Sequence, residues 1–333
     1  MPDKYMTKRF GEPTQVDSNT PHLQRDEWLE QFVVGFRDNV LVLDELLPEL
    51  AVRKDSAKYR VYSRKGYFKG APPRGETALP EQSALQYDED TYSAEEYALE
   101  GWVSDDSVRN AARDIDPFAD EAEYLSQKVR LTQEILISNE ITTAIKSAGA
   151  NYYTLLAALT NWATGANANI LGNLSTGIRT IARNIGRRPN VLVMNTDTYE
   201  VVLNNSTVID ILKRTSQGVV TDGMPIPSLR GLRILMSDAV VNTGTWDVEA
   251  FTNIMYDVDA VLPFMQQVIM AYVQPNDKLT LGRNFVPKPF TVYRGRGLEG
   301  DRRQCSLVAV WKKLAPKVTN VNAGYVIANV LGV

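Results

Sequence analysis

Residues 116–149 read DPFADEAEYLSQKVRLTQEILISNEITTAIKSAG, and this stretch decides the architecture. Asp116 followed by Pro117 is a helix start: an acid at the N-cap and a proline whose fixed φ suits the first helical position. Asp120 and Glu121 then sit where the helix dipole is positive. Phe118, Ala122, Leu125, Val129, Leu136 and Ile141 keep a roughly helical spacing, and Gly149 closes the run after Lys146. The spacing predicts a helix of about thirty residues, on the order of 45 Å long at 1.5 Å per residue. No partner helix in heptad register accompanies it, so the expectation is a rod lying across a sheet or a subunit.

Upstream the charge is sorted into blocks. Residues 53–75 carry Arg53, Lys54, Lys58, Arg60, Arg64, Lys65, Lys69 and Arg74 against one acid, Asp55. Residues 76–123 reverse the sign, with Glu95, Glu96 and many other acids opposed only by Arg109 and Arg113. One reading is a solvated loop. The sharper reading is a long hairpin with a basic and an acidic limb: Tyr59, Val61 and Ser63 alternate with Arg60, Tyr62 and Arg64, and Gly66, Gly70, Pro72, Pro73 and Gly75 form the tip. So polar a hairpin buries little of its own surface and is marginal alone. It is expected to lie on a neighbouring subunit. Before it, residues 1 to about 25 read as an extended polar arm. A first amphipathic helix follows, capped by Asp26, with Trp28, Phe32 and Val33 on one face.

Downstream the pattern is mixed. Ile170, Leu174, Ile178, Ile181 and Ile185 form a helix stripe closed by Gly186, and residues 189–194 form a short buried strand. Residues 196–203 and 206–213 read as short helices starting on Thr196 and Ser206, before a Gly/Pro-rich loop over 218–231. Strand patterns recur at 232–236, 268–273, 290–293 and 305–311, and the apolar end from Ala323 is expected to pack.

Composition narrows the function classes. With 333 residues, 44% hydrophobic and 23% charged, the chain can bury a sizeable core, in about two domains. A net charge of −4 does not suit a histone-like or polybasic nucleic-acid binder. Cys305 is the single cysteine, which excludes an internal disulfide framework, and His22, the single histidine, lies in the polar arm. No metal, cofactor or catalytic residue is therefore assigned. The start of the chain shows no signal-peptide core, and no stretch approaches a membrane span, so a soluble, reducing compartment is expected. Gly295, Gly297 and Gly300 spell GxGxxG after a strand, but a strand pattern follows them, so a glycine-rich hairpin turn fits better than a dinucleotide site. Arg183, Arg187 and Arg188 read as a helix C-terminal cluster or a subunit salt bridge, with a phosphate contact as the other reading.

The order of elements resembles that of tailed-bacteriophage major capsid proteins, of the Hong Kong 97-like capsid fold family. Residues 95–106, EEYALEGWVSDD, running into Asp116-Pro117, look like that family's extended loop entering its spine helix. Residues 188–205, RPNVLVMNTDTYEVVLNN, followed by VIDILK at 208–213, look like the strand and paired helices of its axial domain. The resemblance covers most of the chain and implies an α+β capsid fold. Residues 1–52 would be the N-terminal arm and first helix, and 53–104 the extended hairpin loop. Residues 105–165 would be the peripheral domain with the spine helix, 166–285 the axial domain, and 286–333 strands closing on the peripheral domain. The implied function is a shell of pentamers and hexamers that encloses double-stranded DNA without sequence-specific binding, with no membrane partner. A separate scaffolding protein, a portal and a cement protein are the expected partners, because the arm leaves no room for a large fused scaffold segment. The virion is the expected location, after assembly in the host cytoplasm. Candidate contacts between subunits are Arg60, Arg64, Lys65, Lys69, Glu95, Glu96, Arg187 and Arg188. The rival readings are an encapsulin-like compartment, a tail or portal component, and a nucleotide-binding enzyme.

Overall fold

The computed structural model describes residues 15–16, 23–35, 41–62, 68, 70–76, 79, 81–83, 85–112, 115–157, 159–214, 228–242, 251–253, 256–257, 265–296 and 298–332. Arg64, Lys65, Lys69, the tip residue Gly66 and most of the expected arm lie outside them. In chain order the first half holds β1 (Gln15–Val16), β2 (Leu23–Arg25), α1 (Glu27–Gly35), β3 (Glu49–Ala51), β4 (Ser56–Tyr62), β5 (Tyr87–Ser93) and β6 (Glu95–Ser104). Helices α2 (Asp105–Asn110) and α3 (Pro117–Ser147) follow, then β7 (Tyr153–Leu155), α4 (Ile170–Ile185), β8 (Val191–Met194), α5 (Thr196–Leu203) and α6 (Ser206–Arg214). The remainder is β9 (Ser228–Leu229), β10 (Leu232–Met236), β11 (Val240–Asn242), β12 (Phe251–Asn253), β13 (Tyr256–Asp257), β14 (Met265–Ala271), β15 (Gly282–Gly295), α7 (Leu298–Arg303), β16 (Cys305–Val318) and β17 (Gly324–Ala328).

The long helix forms where its start signals stand. Asp116 Oδ1 accepts the Phe118 N–H, Pro117 opens the helix, and Gly149 follows it at φ +104°. The helix spans two sheets. Its first half sets Phe118, Ala122, Leu125 and Val129 against Phe290, Val292, Val308 and Val310 of a six-stranded sheet ordered β1-β2-β15-β16-β6, with β3 on β15. Its second half sets Ile137, Ile141 and Ile145 into the larger core around a seven-stranded sheet ordered β7-β17-β14-β8-β10-β9, with β13 on β14. The apolar stripe shifts as the helix crosses, so Ile137 is buried where the spacing pointed to Leu136, which is half-buried. Each fully buried aliphatic side chain contributes roughly 1.5–3 kcal/mol, so this bridging helix holds much of the fold.

In the second sheet β8 and β10 run parallel, joined by a crossover through α5 and α6. Helix α4 buries the whole expected stripe from Ile170 to Ile185, and Gly186 caps it at φ +68°. Gly177 leaves room for the Met270 methyl and the Tyr325 ring, which a Cβ there would crowd.

Several expectations change on contact with the structure. Trp28 is 44% exposed and α1 buries Leu29 and Val33, although Asp26 does cap it through the Trp28 and Leu29 N–H groups. Helices α5 and α6 do start on Thr196 and Ser206, and the residues that cap them are Asn195 and Asn205, whose side-chain carbonyls reach the N–H two or three positions on. Residues 298–303 form a helical turn, braced by the Arg303–Glu299 pair at 2.8 Å, so the following strand begins at Cys305. The closing segment divides: β15 and β16 stay in the first sheet, while β17 pairs β14 and β7 in the second. Among the described residues no helix is long and apolar enough to cross a membrane.

Candidate inter-subunit surfaces

The charged segment folds as an antiparallel hairpin, β4 against β5, in register from Ser56↔Ser93 to Tyr62↔Tyr87. The basic and acidic limbs therefore meet each other within one chain. Lys58 Nζ lies 3.0 Å from Glu89 Oε2, and the Arg60 guanidinium lies 4.2 Å from the centre of the Tyr87 ring. The Tyr59 hydroxyl donates to Asp90 Oδ2 at 2.8 Å. That bond, with the Thr91 N–H, holds the Asp90 carboxyl below its ordinary range, while burial and the same bond push Tyr59 up. On β5 only Tyr92 is buried, so nearly all of the limb faces solvent.

The hairpin root is fixed by aromatic packing. Tyr92 stacks on Phe285 of β15 with centroids 4.3 Å apart, and Tyr59 leans on the same ring at 5.3 Å. Ala94 and Ala315 complete this small core, Lys313 Nζ reaches Asp55 Oδ2 at 2.6 Å, and Lys278 lies 5.0 Å over the Tyr62 ring.

The other candidates fall on separate surfaces. Glu95 and Glu96 are exposed on β6, which pairs with β16 over ten residues and belongs to the first sheet. Glu95 accepts the Tyr97 hydroxyl at 2.9 Å, and Glu96 pairs with Lys288 at 3.4 Å. Arg187 is met inside the chain by Asp277 at 2.7 Å and the Tyr272 hydroxyl at 2.8 Å, while Arg188 is exposed beside it. Gly295 ends β15 and Gly300 lies inside the six-residue α7, so no helix opens at the third glycine as dinucleotide binding requires.

Two buried polar contacts under α3 escape sequence reasoning. Lys312, with a side chain 3% exposed, gives its ammonium to Glu49 Oε1 and Gln133 Oε1, each at 2.6 Å. Burial pushes its pKa down, opposed by Glu49. Glu134 accepts the Leu43 N–H on both carboxyl oxygens, at 3.0 and 2.9 Å, and burial raises it to about 8. The available signal was that Gln133 occupies the place four residues after Val129 on the apolar stripe.

A family model described as phage capsid protein matches residues 88–303, and the chain belongs to that family. Over 200 residues it is 23% identical to the major capsid protein of Burkholderia phage BcepMu, covering 59% of this chain and 63% of that protein, so it spans less than two thirds of that relative. The fold is similar to a crystal structure of a phage-related protein from Bordetella bronchiseptica RB50, with a TM-score of 0.69, 19% identity, and 93% and 98% of the two chains covered. It is also similar to the capsid of cyanophage P-SCSP1u, with a TM-score of 0.58, 11% identity, and 86% and 87% covered. The fold is that of phage capsids.

Proposed function

We propose that the chain is a major capsid protein that self-assembles as pentamers and hexamers into an icosahedral shell enclosing double-stranded DNA. The observation that carries this reading is the phage-capsid match over 88–303, which takes in β6, α3 and most of the second sheet. The sheet under the first half of α3 would be the peripheral domain, and the seven-stranded sheet the axial domain clustered at the symmetry axes. The hairpin would reach over a neighbouring copy, its contacts including Arg60, Arg64, Lys65 and Lys69. Glu95, Glu96, Arg187 and Arg188 would meet other copies at the sheet edge and near the axis. The work is assembly rather than catalysis, with a separate scaffolding protein, a portal and a cement protein as partners. It takes place in the host cytoplasm and ends in the virion. The match to a phage major capsid protein favours a DNA-filled head over an enzyme-packaging compartment.

Negative-stain microscopy with sedimentation tests this. Closed shells or capsomer rings are expected. A monomer or dimer under every salt condition, unchanged by the cognate scaffold, would overturn the reading.

A further inference from the structure

Helix α4 turns a face to solvent that carries one sign of charge. Its buried side is Ile170, Leu174, Ile178, Ile181 and Ile185, which leaves Thr176, Arg179 and Arg183 at the opposite pole. The helix contains no acidic residue, although the chain has 40. Arg230 joins this face from the β9–β10 turn by donating to the Ser175 hydroxyl. Among the described residues, Arg179 and Arg183 meet no carboxylate.

The helix dipole accounts for part of this, since cations at a C-terminus are favourable over the last turn. It does not account for Arg179, which stands further back, or for Arg230, which comes from another element. Arg230 also sits at φ +54° beside Gly231 at +80°, in a two-residue turn where glycine or asparagine is the less strained choice. Arg179 and Arg183 are a like-charge pair at i,i+4, which repulsion disfavours in an isolated helix.

We propose that this arginine strip, Arg179, Arg183 and Arg230, contacts the phosphate backbone of the enclosed double-stranded DNA without reading its sequence. The proposal rests on the capsid reading above. An all-arginine strip suits phosphate because the planar guanidinium presents paired donors to phosphate oxygens. A second copy of this chain fits less well, since several carboxylates on the hairpin and the sheet edge are already engaged at home. Glu89 holds Lys58, Asp55 holds Lys313 and Asp105 holds Arg296. A protein surface also presents mixed signs, whereas the backbone of a duplex presents one repeating charge.

The test uses the unassembled full-length chain and fluorescent 30-base-pair duplexes of two unrelated sequences, titrated across a salt series. Wild type should bind both duplexes alike, with affinity falling steeply with salt. The triple variant Arg179→Gln, Arg183→Gln, Arg230→Gln should bind at least about tenfold more weakly, and its log–log salt slope should flatten by about 2.7, near 0.9 per lost contact. Shell yield, read by microscopy after each protein is assembled with the cognate scaffold, should be unchanged. Absent DNA binding by wild type, or equal binding by the variant, overturns the proposal while leaving the capsid reading to the shell count. A variant that loses shells but keeps its DNA affinity also overturns it, and assigns the strip to contact between copies.

Discussion

Tyr92 of the hairpin lies flat on Phe285 of the central sheet, with ring centroids 4.3 Å apart and planes 7° from parallel. Through this pair a segment that is polar on nearly every other position is tied to the body of the protein. Aromatic stacking adds about 0.5–1.5 kcal/mol to the area buried, so the root of the hairpin is anchored at this pair. Phe285→Ala should destabilise by about 3–5 kcal/mol, since it removes the ring under both Tyr92 and Tyr59. Urea denaturation measures the loss, and limited proteolysis should show earlier cleavage within 56–93. Equal protection of the hairpin in the variant would mean the stack does not hold it.

Exposed ion pairs on that hairpin are expected to matter to the shell and not to the subunit. Lys58→Ala should change subunit stability by no more than about 1 kcal/mol, because Lys58 and Glu89 both remain largely in water. Reversing Arg64 and Lys65 together should lower shell yield more than it lowers the melting temperature. Normal yield of closed particles from that double variant would sink the proposed role of the hairpin.

Glu134 should give stability a distinct dependence on pH. Its folded pKa, about 8, lies above the ordinary value of 4.5, because burial disfavours the carboxylate more than the Leu43 N–H supports it. The native state therefore binds the extra proton between those values. Its contribution is complete below pH 4.5 and is lost as pH rises through 8. The difference in unfolding free energy between wild type and Glu134→Gln should move against wild type over that window, by on the order of a few kcal/mol. A difference that stays flat from pH 5 to 9 would show that the group titrates normally.

Lys312 and Glu49 should respond unequally to removal. Glu49→Ala leaves a buried ammonium with Gln133 and the face of the Phe290 ring, and should cost about 1–3 kcal/mol, less than a wholly buried pair because Glu49 is half-exposed. Lys312→Met, which fills similar space without charge, should stay within about 1 kcal/mol of wild type. Chemical denaturation of the two variants side by side decides it.

Gly186 ends α4 in the left-handed region at φ +68°. Gly186→Ala should cost about 1–2 kcal/mol, since a Cβ there crowds the following carbonyl. Its Cβ would also stand 3.2 Å from the Phe68 ring. Calorimetry should show a lower Tm with helix content nearly unchanged.

Local order along the chain was legible without coordinates. Asp116-Pro117, the Ile170–Ile185 stripe with Gly186, and the fully apolar 191–194 run each specify an element from neighbouring residues, since caps, periodicity and turn chemistry act over a few positions. The sorted charge of 53–75 and 76–123 likewise announced two opposed limbs, and β4 and β5 pair as such. Other features depend on who meets whom across the fold. Glu95–Ser104 reads as more of the acidic limb, yet its backbone is claimed by β16, because a long unpaired strand beside it offers ten residues of hydrogen bonding. The last strand joins the second sheet because only there do β14 and β7 leave a slot for a run buried on both faces. Lys312 looks like any surface lysine in sequence and became a buried one only when Glu49 and Gln133, 263 and 179 residues away, closed around it. The arginine strip belongs to the same class: Arg179 and Arg183 share a helix face by periodicity, but only the turn at Arg230, folded back onto Ser175, makes it a surface.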